Sequence, residues 1–213
     1  MHPQQRPVLV KQFQSRQTIC RDCSCISFSN VIKWTKQSDK LEFIEVKCML
    51  KLRPYRKNDS QKIVTWAQDE NTFYKWSEGR LGSFPVSAER MEQAVSGRID
   101  NEQYFPFVAF DEDGIVGFFT LRQPGEVAGE LSFGYVILNP EVRGKGYGKQ
   151  MLQLGIKFAF ELYGASKVTL EVFENNPSAY HCYKAVGFIE NGNSMTYNIC
   201  NEEWKSIEME ICK

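Results

Sequence analysis

The chain has 213 residues, 42% of them hydrophobic, with 26 lysines and arginines against 26 aspartates and glutamates. That length suits one well-buried domain with an appendage, and zero net charge excludes a binder of nucleic acid or anionic membrane that works by bulk electrostatics. Aromatic residues at 13% and charged residues at 24% exclude disorder over most of the chain, and no apolar run is long enough to span a bilayer.

Residues 1–48 carry eight basic and four acidic side chains, whereas residues 49–213 carry 18 and 22. The first segment lacks the apolar core of a secretory signal and shows almost no regular period. It is expected to be a poorly ordered extension or a leader, with Met49 as an alternative start and 49–213 as the domain. Cys20, Cys23 and Cys25 cluster there, but a structural zinc site needs four ligands and no second pair follows. Free thiols and no metal are expected. Seven cysteines without a regular framework fit a reducing compartment, so the cytoplasm is the expected location.

From Leu50 the pattern is orderly. Leu50–Tyr55 alternates as a strand, and Asn58 or Asp59 caps a helix running to about Ala67. An aromatic-rich stretch follows, with Trp66, Phe73, Tyr74, Trp76 and Phe84. Ser87 starts a helix that ends near Gly97. Tyr104–Phe110 and Ile115–Arg122 are strands joined by the turn Asp111-Glu112-Asp113-Gly114, which lacks the later ligands of a calcium loop. Glu130–Leu138 is nearly all apolar and reads as a central strand. Gly146–Tyr163 is a helix with Tyr147, Met151, Leu154, Phe158 and Leu162 on one stripe. Lys167–Phe173 is a strand, Pro177–Val186 a helix stopped by Gly187, and Phe188–Asn198 and Trp204–Cys212 are two more strands. The result is an α+β mixed sheet of about seven strands with helices on both faces.

The most informative stretch is Arg143-Gly144-Lys145-Gly146-Tyr147-Gly148-Lys149, between a buried strand and a long helix. Small residues let backbone N–H groups turn toward one point, and the helix dipole adds positive potential, which suits a phosphate or pyrophosphate. Arg143, Lys145 and Lys149 add charge. The spacing excludes a Walker loop, because Gly144 and Gly148 enclose three residues and Gln150 follows Lys149. The even spacing of Gly144, Gly146 and Gly148 also departs from a dinucleotide fingerprint.

Those residues resemble the R/Q-x-x-G-x-G/A signature of the GCN5-related N-acetyltransferases, the GNAT family. Leu170–Asn176, then Ala179, Tyr183 and Gly187-Phe188, is similar to the family's second motif at the right distance. The resemblance covers about residues 49–213. It implies the acyl-CoA N-acyltransferase fold, a mixed and mostly antiparallel central sheet flanked by helices. It further implies acetyl-CoA as co-substrate, no metal, and direct attack of a primary amine on the thioester in a ternary complex. A catalytically silent CoA-binding module of the same fold is the alternative.

By the same resemblance, the loop from Arg143 to Lys149 binds the pyrophosphate. Pantetheine pairs with the backbone of Val136, Ile137 and Leu138, with the Val136 amide polarising the thioester carbonyl. Asn176 contacts the pantetheine arm and Tyr183 protonates the departing thiolate; the seven residues between them are two helical turns, so both face one way. Two carboxylates compete for the base. Histone-acetylating members carry a glutamate where this chain has Ser132, and Glu130 lies two residues earlier on the same face. Glu171 matches the glutamate of ribosomal-protein acetyltransferases. Glu130 is favoured narrowly. The aromatic stretch either walls a cationic amine or packs helices on the sheet. The acidic balance of 49–213 favours a basic small-molecule or peptide amine; a homodimer is compatible with this reading, and no nucleic-acid or membrane partner is expected.

Overall fold

A computed structural model describes residues 18–19, 26–27, 50–98, 103–125 and 128–213. The Cys20–Cys25 cluster, Met49 and most of the 1–48 extension lie outside them. The described strands are β1 (Thr18–Ile19), β2 (Ile26–Ser27), β3 (Lys51–Pro54), β4 (Tyr104–Asp111), β5 (Gly114–Arg122), β6 (Glu130–Leu138), β7 (Lys167–Phe173), β8 (Ile189–Ile199) and β9 (Glu202–Cys212). They form one sheet in the order β1-β2-β3-β4-β5-β6-β7-β9-β8. Only β6 and β7 run parallel; the other neighbours are antiparallel. The seven strands expected from Leu50 onward are all present. The two-residue strands β1 and β2 extend the edge, with Ile26 opposite Leu52.

The helices are α1 (Ser60–Ile63), α2 (Glu70–Ser77), α3 (Ala88–Ser96), α4 (Tyr147–Lys157) and α5 (Pro177–Ala185). Strand alternation divides the core between the two sheet faces. Phe107, Phe119, Leu131, Phe133 and Leu170 pack with Met151 and Leu152 of α4 and Tyr183 of α5. Their neighbours Val108 and Phe118 face the other way and pack with Ile63, Phe73, Trp76 and Met91 from the α1–α3 layer.

Three details depart from the sequence expectation. The helix expected over 58–67 is broken: α1 is flanked by 3₁₀ turns at Lys57–Asp59 and Val64–Trp66. The aromatic stretch contains a helix of its own, α2, whose N-cap Asp69 accepts from the Thr72 amide at 2.7 Å and the Thr72 hydroxyl at 2.8 Å. The stripe on α4 also fails at its end, because a π-helical turn over Phe158–Tyr163 adds a residue per turn. Ala159 is buried there and Leu162 is exposed.

The feature that shapes the molecule's function lies in β6. Its ladder to β5 slips by one residue between the Phe118 and Thr120 pairings, and Tyr135 within the slip has φ +50°. This is a β-bulge, which bends the strand. On the other side, β6 pairs with β7 only through Glu130, Leu131 and Ser132, while β7 continues with β9 to Phe173. Beyond Ser132 the two parallel strands separate.

Helix α4 lies against this bend through Gly155, where an added Cβ would stand 2.6 Å from Phe133 Cζ and 3.0 Å from Phe119 Cζ. Alanine is favoured over glycine in a helix interior by about 1 kcal/mol, but overpacking a core costs about 1–3 kcal/mol. Gly155→Ala should therefore lower the unfolding free energy, by up to about 2 kcal/mol, in urea titration. A rise in stability would contradict the close packing of α4 on β5 and β6.

Candidate active site

The separation of β6 from β7 leaves the backbone of residues 133–138 without a strand partner on the β7 side. The opening continues as a groove of about 490 Å³, floored by Val136, Ile137 and Leu138 and reaching the glycine loop. At its inner end is a narrower cavity of about 50 Å³, bounded by Trp76, Glu78, Tyr135, Glu171, Asn176 and Tyr183 among others. The Trp76 indole N–H donates to the Tyr135 carbonyl at 3.0 Å, tying α2 to the bulge.

The loop supplies the groove's polar end. Gly144 has φ +74° and Gly146 φ +83°, a left-handed conformation that side chains rarely adopt. Gly146 is the N-cap of α4 and offers no side-chain cap, so the first amides of the helix remain available to a ligand. A Cβ on Gly144 would meet nothing within 4 Å, so the space beside it is open. Lys145 and Lys149 are exposed nearby. Arg143 is used differently: its Nη2 donates to the carbonyls of Trp66 and Leu138, both at 3.2 Å, and pins the loop to the protein. Tyr147 also turns away, its hydroxyl donating to Asp111 Oδ2 at 2.8 Å. Arg143 thus both fastens the loop and lines the groove, whereas Tyr147 holds the loop from outside it.

Asn176 and Tyr183 both line the groove and the inner cavity. The Asn176 side chain caps α5 by accepting from the Ala179 amide at 3.4 Å, so structural and binding readings coexist. Tyr183 is only 7% exposed and packs edge-on against Phe188. Burial pushes its phenol well above the ordinary value, so the hydroxyl keeps its proton at neutral pH. That hydroxyl makes no hydrogen bond among the described residues.

The two carboxylates named from sequence are not brought together. Glu130 sits where β6 and β7 are still paired, forms a 2.7 Å ion pair with the cross-strand Lys167, and does not line the cavity. Glu171 borders it. The Tyr197 hydroxyl donates to Glu171 Oε2 at 2.7 Å and the Ser206 hydroxyl at 3.1 Å, which leaves Oε1 unengaged. A third carboxylate was missed from sequence. Glu78 ends α2 at φ +53° and borders the same cavity. Burial raises its pKa; the Arg80 guanidinium, 2.6 Å from Oε2, works against that shift, and Glu171 adds to it. The signal for Glu78 was the pair Glu78-Gly79 closing a helix, legible only once Asp69 is read as that helix's start.

Comparison with known proteins bears on this arrangement. The model of the acetyltransferase (GNAT) family matches residues 61–188. Spermidine N(1)-acetyltransferase of Vibrio cholerae serotype O1 is 24% identical over 160 residues, spanning 75% of this chain and 90% of that protein. Spermine/spermidine N(1)-acetyltransferase of Bacillus subtilis strain 168 is 32% identical over 94 residues, 42% of this chain and 62% of that one. The crystal structure of spermidine N-acetyltransferase from V. cholerae in complex with CoA and spermine shares the fold, with a TM-score of 0.66 at 22% identity over 77% of this chain and 95% of that one. The family match spans more than half of the chain, and we conclude that the protein belongs to the GNAT family and is an acetyl-CoA-dependent N-acetyltransferase.

Proposed function

We propose that the chain transfers acetyl directly from acetyl-CoA to a primary amine, with both substrates bound and no covalent enzyme intermediate. The observation that carries this is the meeting point of groove and cavity, where Tyr183 borders both and Glu171 borders the cavity. The pyrophosphate lies on the amides opening α4, which glycine leaves accessible. Pantetheine runs along the unpartnered edge of β6, and the Val136 amide donates to the carbonyl oxygen as negative charge develops there. Asn176 holds the arm.

In this mechanism Glu171 takes the ammonium proton through Oε1, because its other oxygen is held by two hydroxyls. The free amine then attacks the thioester carbon, the C–S bond breaks as the thiolate takes the Tyr183 proton, and the acetylated nitrogen loses its second proton to solvent to give the neutral amide; Glu171 also passes its proton to solvent. Solvent returns the Tyr183 proton. Glu130 is engaged by Lys167 outside the cavity, so we assign it a structural role. Glu78 faces Glu171 across the cavity and adds negative potential for a cationic acceptor. The amine substrates in the relatives' names support an amine acceptor here. We assign the reaction to the cytoplasm, in keeping with free thiols at Cys182, Cys200 and Cys212.

Three variants test these roles. Gly146→Asp places a side chain and a negative charge beside the pyrophosphate; acetyl-CoA affinity should be nearly abolished in calorimetry while the circular dichroism of the fold is kept. Unchanged affinity would remove the loop from the binding site. Tyr183→Phe keeps the ring packing and removes the proton donor. Its kcat should fall on the order of a hundredfold, the lower end of acid catalysis, with acetyl-CoA affinity little changed. A value within threefold of wild type, with chemistry rate-limiting, would return Tyr183 to the core. Glu171→Gln should reduce kcat/KM on the order of a hundredfold at neutral pH. That deficit should shrink as pH approaches the amine's own pKa, since free amine then needs no base. A loss below threefold would return the base to Glu130.

A further inference from the structure

Past Glu171 and Glu78 the inner cavity continues into a small, partly open recess of about 20 Å³ and different character. Its floor is the sheet face that carries α1–α3, at the end those helices leave uncovered. Arg122 and Thr120 of β5 and Ser132 and Gly134 of β6 stand side by side there, Arg122 opposite Ser132 and Thr120 opposite Gly134. Thr120 and Ser132 are polar yet buried. Two further guanidiniums close the walls: Arg80 from the turn after α2 and Arg98 from the end of α3.

Among the described residues the charges do not cancel. The chamber holds three guanidiniums against the two carboxylates Glu78 and Glu171. Arg80 is taken up by Glu78. The guanidiniums of Arg98 and Arg122 make no ion pair or hydrogen bond among the described residues, although Arg122 lies within electrostatic reach of Glu78. The Tyr135 hydroxyl borders the same region and is buried without a hydrogen-bond partner among the described residues. Burial raises the Tyr135 phenol; Arg98, Arg80 and Arg122 pull against that shift, and Glu78 adds to it. Buried hydroxyl donors and guanidiniums without partners are what a carboxylate requires, since it accepts at both oxygens and Arg binds it bidentately.

We propose that this chamber is an anion subsite, formed by Arg98, Arg122 and the Tyr135 hydroxyl, and that the acceptor is a zwitterionic amine carrying a carboxylate, as in an amino acid or short peptide. The inference rests on the proposed transfer reaction for the location of the amine, beside Glu171. The amine end meets Glu171 and Glu78, and the carboxylate end meets the guanidiniums a few ångströms further in. A polyamine would instead push its second ammonium against the positive wall. The subsite thus positions the acceptor and selects it by charge.

The test pairs each acceptor with its neutral twin. The full chain is assayed for thiol release with amino acids, with the corresponding amino-acid amides, and with spermidine. The carboxylate member of an active pair should exceed its amide and spermidine by about tenfold or more in kcat/KM, the scale of a charge-assisted hydrogen bond. Arg122→Gln and Arg98→Gln should raise KM for the carboxylate member about tenfold, change kcat little, and leave the amide unaffected; Arg122→Lys should restore part of the loss. A purely structural arginine would instead lower activity on both twins alike, and that result would overturn the proposal. So would spermidine or the amides matching the carboxylates in kcat/KM. If no amine is turned over, calorimetry with CoA-saturated protein separates the two readings. Arg122-dependent binding of carboxylate members alone would keep the subsite and overturn the catalytic mechanism, whereas no binding would overturn the subsite.

Discussion

Everything in the site follows from β6 and β7 being joined for three residues and then parting. A parallel pair in the middle of a sheet would ordinarily bury its backbone groups in one continuous ladder. Here the bulge at Tyr135 bends β6 away, and the ladder stops at Ser132. The edge of 133–138 lacks a strand partner on the β7 side, with the carbonyls of Tyr135 and Leu138 taken by Trp76 and Arg143. A linear ligand with amides of its own is the natural complement to such an edge.

The two helical layers hold that opening from opposite sides. Gly155 lets α4 sit close on Phe133 and Phe119, and Gly146, Gly148 and Lys149 at the amino end of α4 line the groove. Trp76 ties α2 to the bulge carbonyl, so the same helix that stabilises the bend also delivers Glu78 to the cavity at its end. Arg143 then fastens the glycine loop to the ends of both Trp66 and Leu138. Trp76, Ile137 and Tyr183 belong to the site and to the core at once.

The separation of roles along the cavity is a matter of charge. Positive groups and helix amides lie at the loop end, carboxylates at the centre, and unpaired guanidiniums at the far end. Much of this was legible in the sequence. The spacing of Gly144, Gly146 and Gly148 marked the loop, and the seven-residue interval from Asn176 to Tyr183 put both on one face of α5. What the sequence obscured depended on long-range register. Lys167 neutralises Glu130 only because the parallel pairing sets them opposite each other. Tyr197 and Ser206 reach Glu171 across strands distant in the chain. Glu78 was hidden because α2 is short and its aromatic residues mask the helical period. The bulge left no local mark beyond Gly134.

Amide hydrogen exchange on addition of a non-transferable acetyl-CoA analogue tests the central claim most directly, because it reads the β6 edge residue by residue. The account predicts new protection at amides within 134–138, together with the first amides of α4 from Tyr147 to Lys149, and little change on β7 beyond Leu170. Protection confined to the helix, with the β6 edge exchanging as before, would contradict the claim that the parted strands are the binding surface.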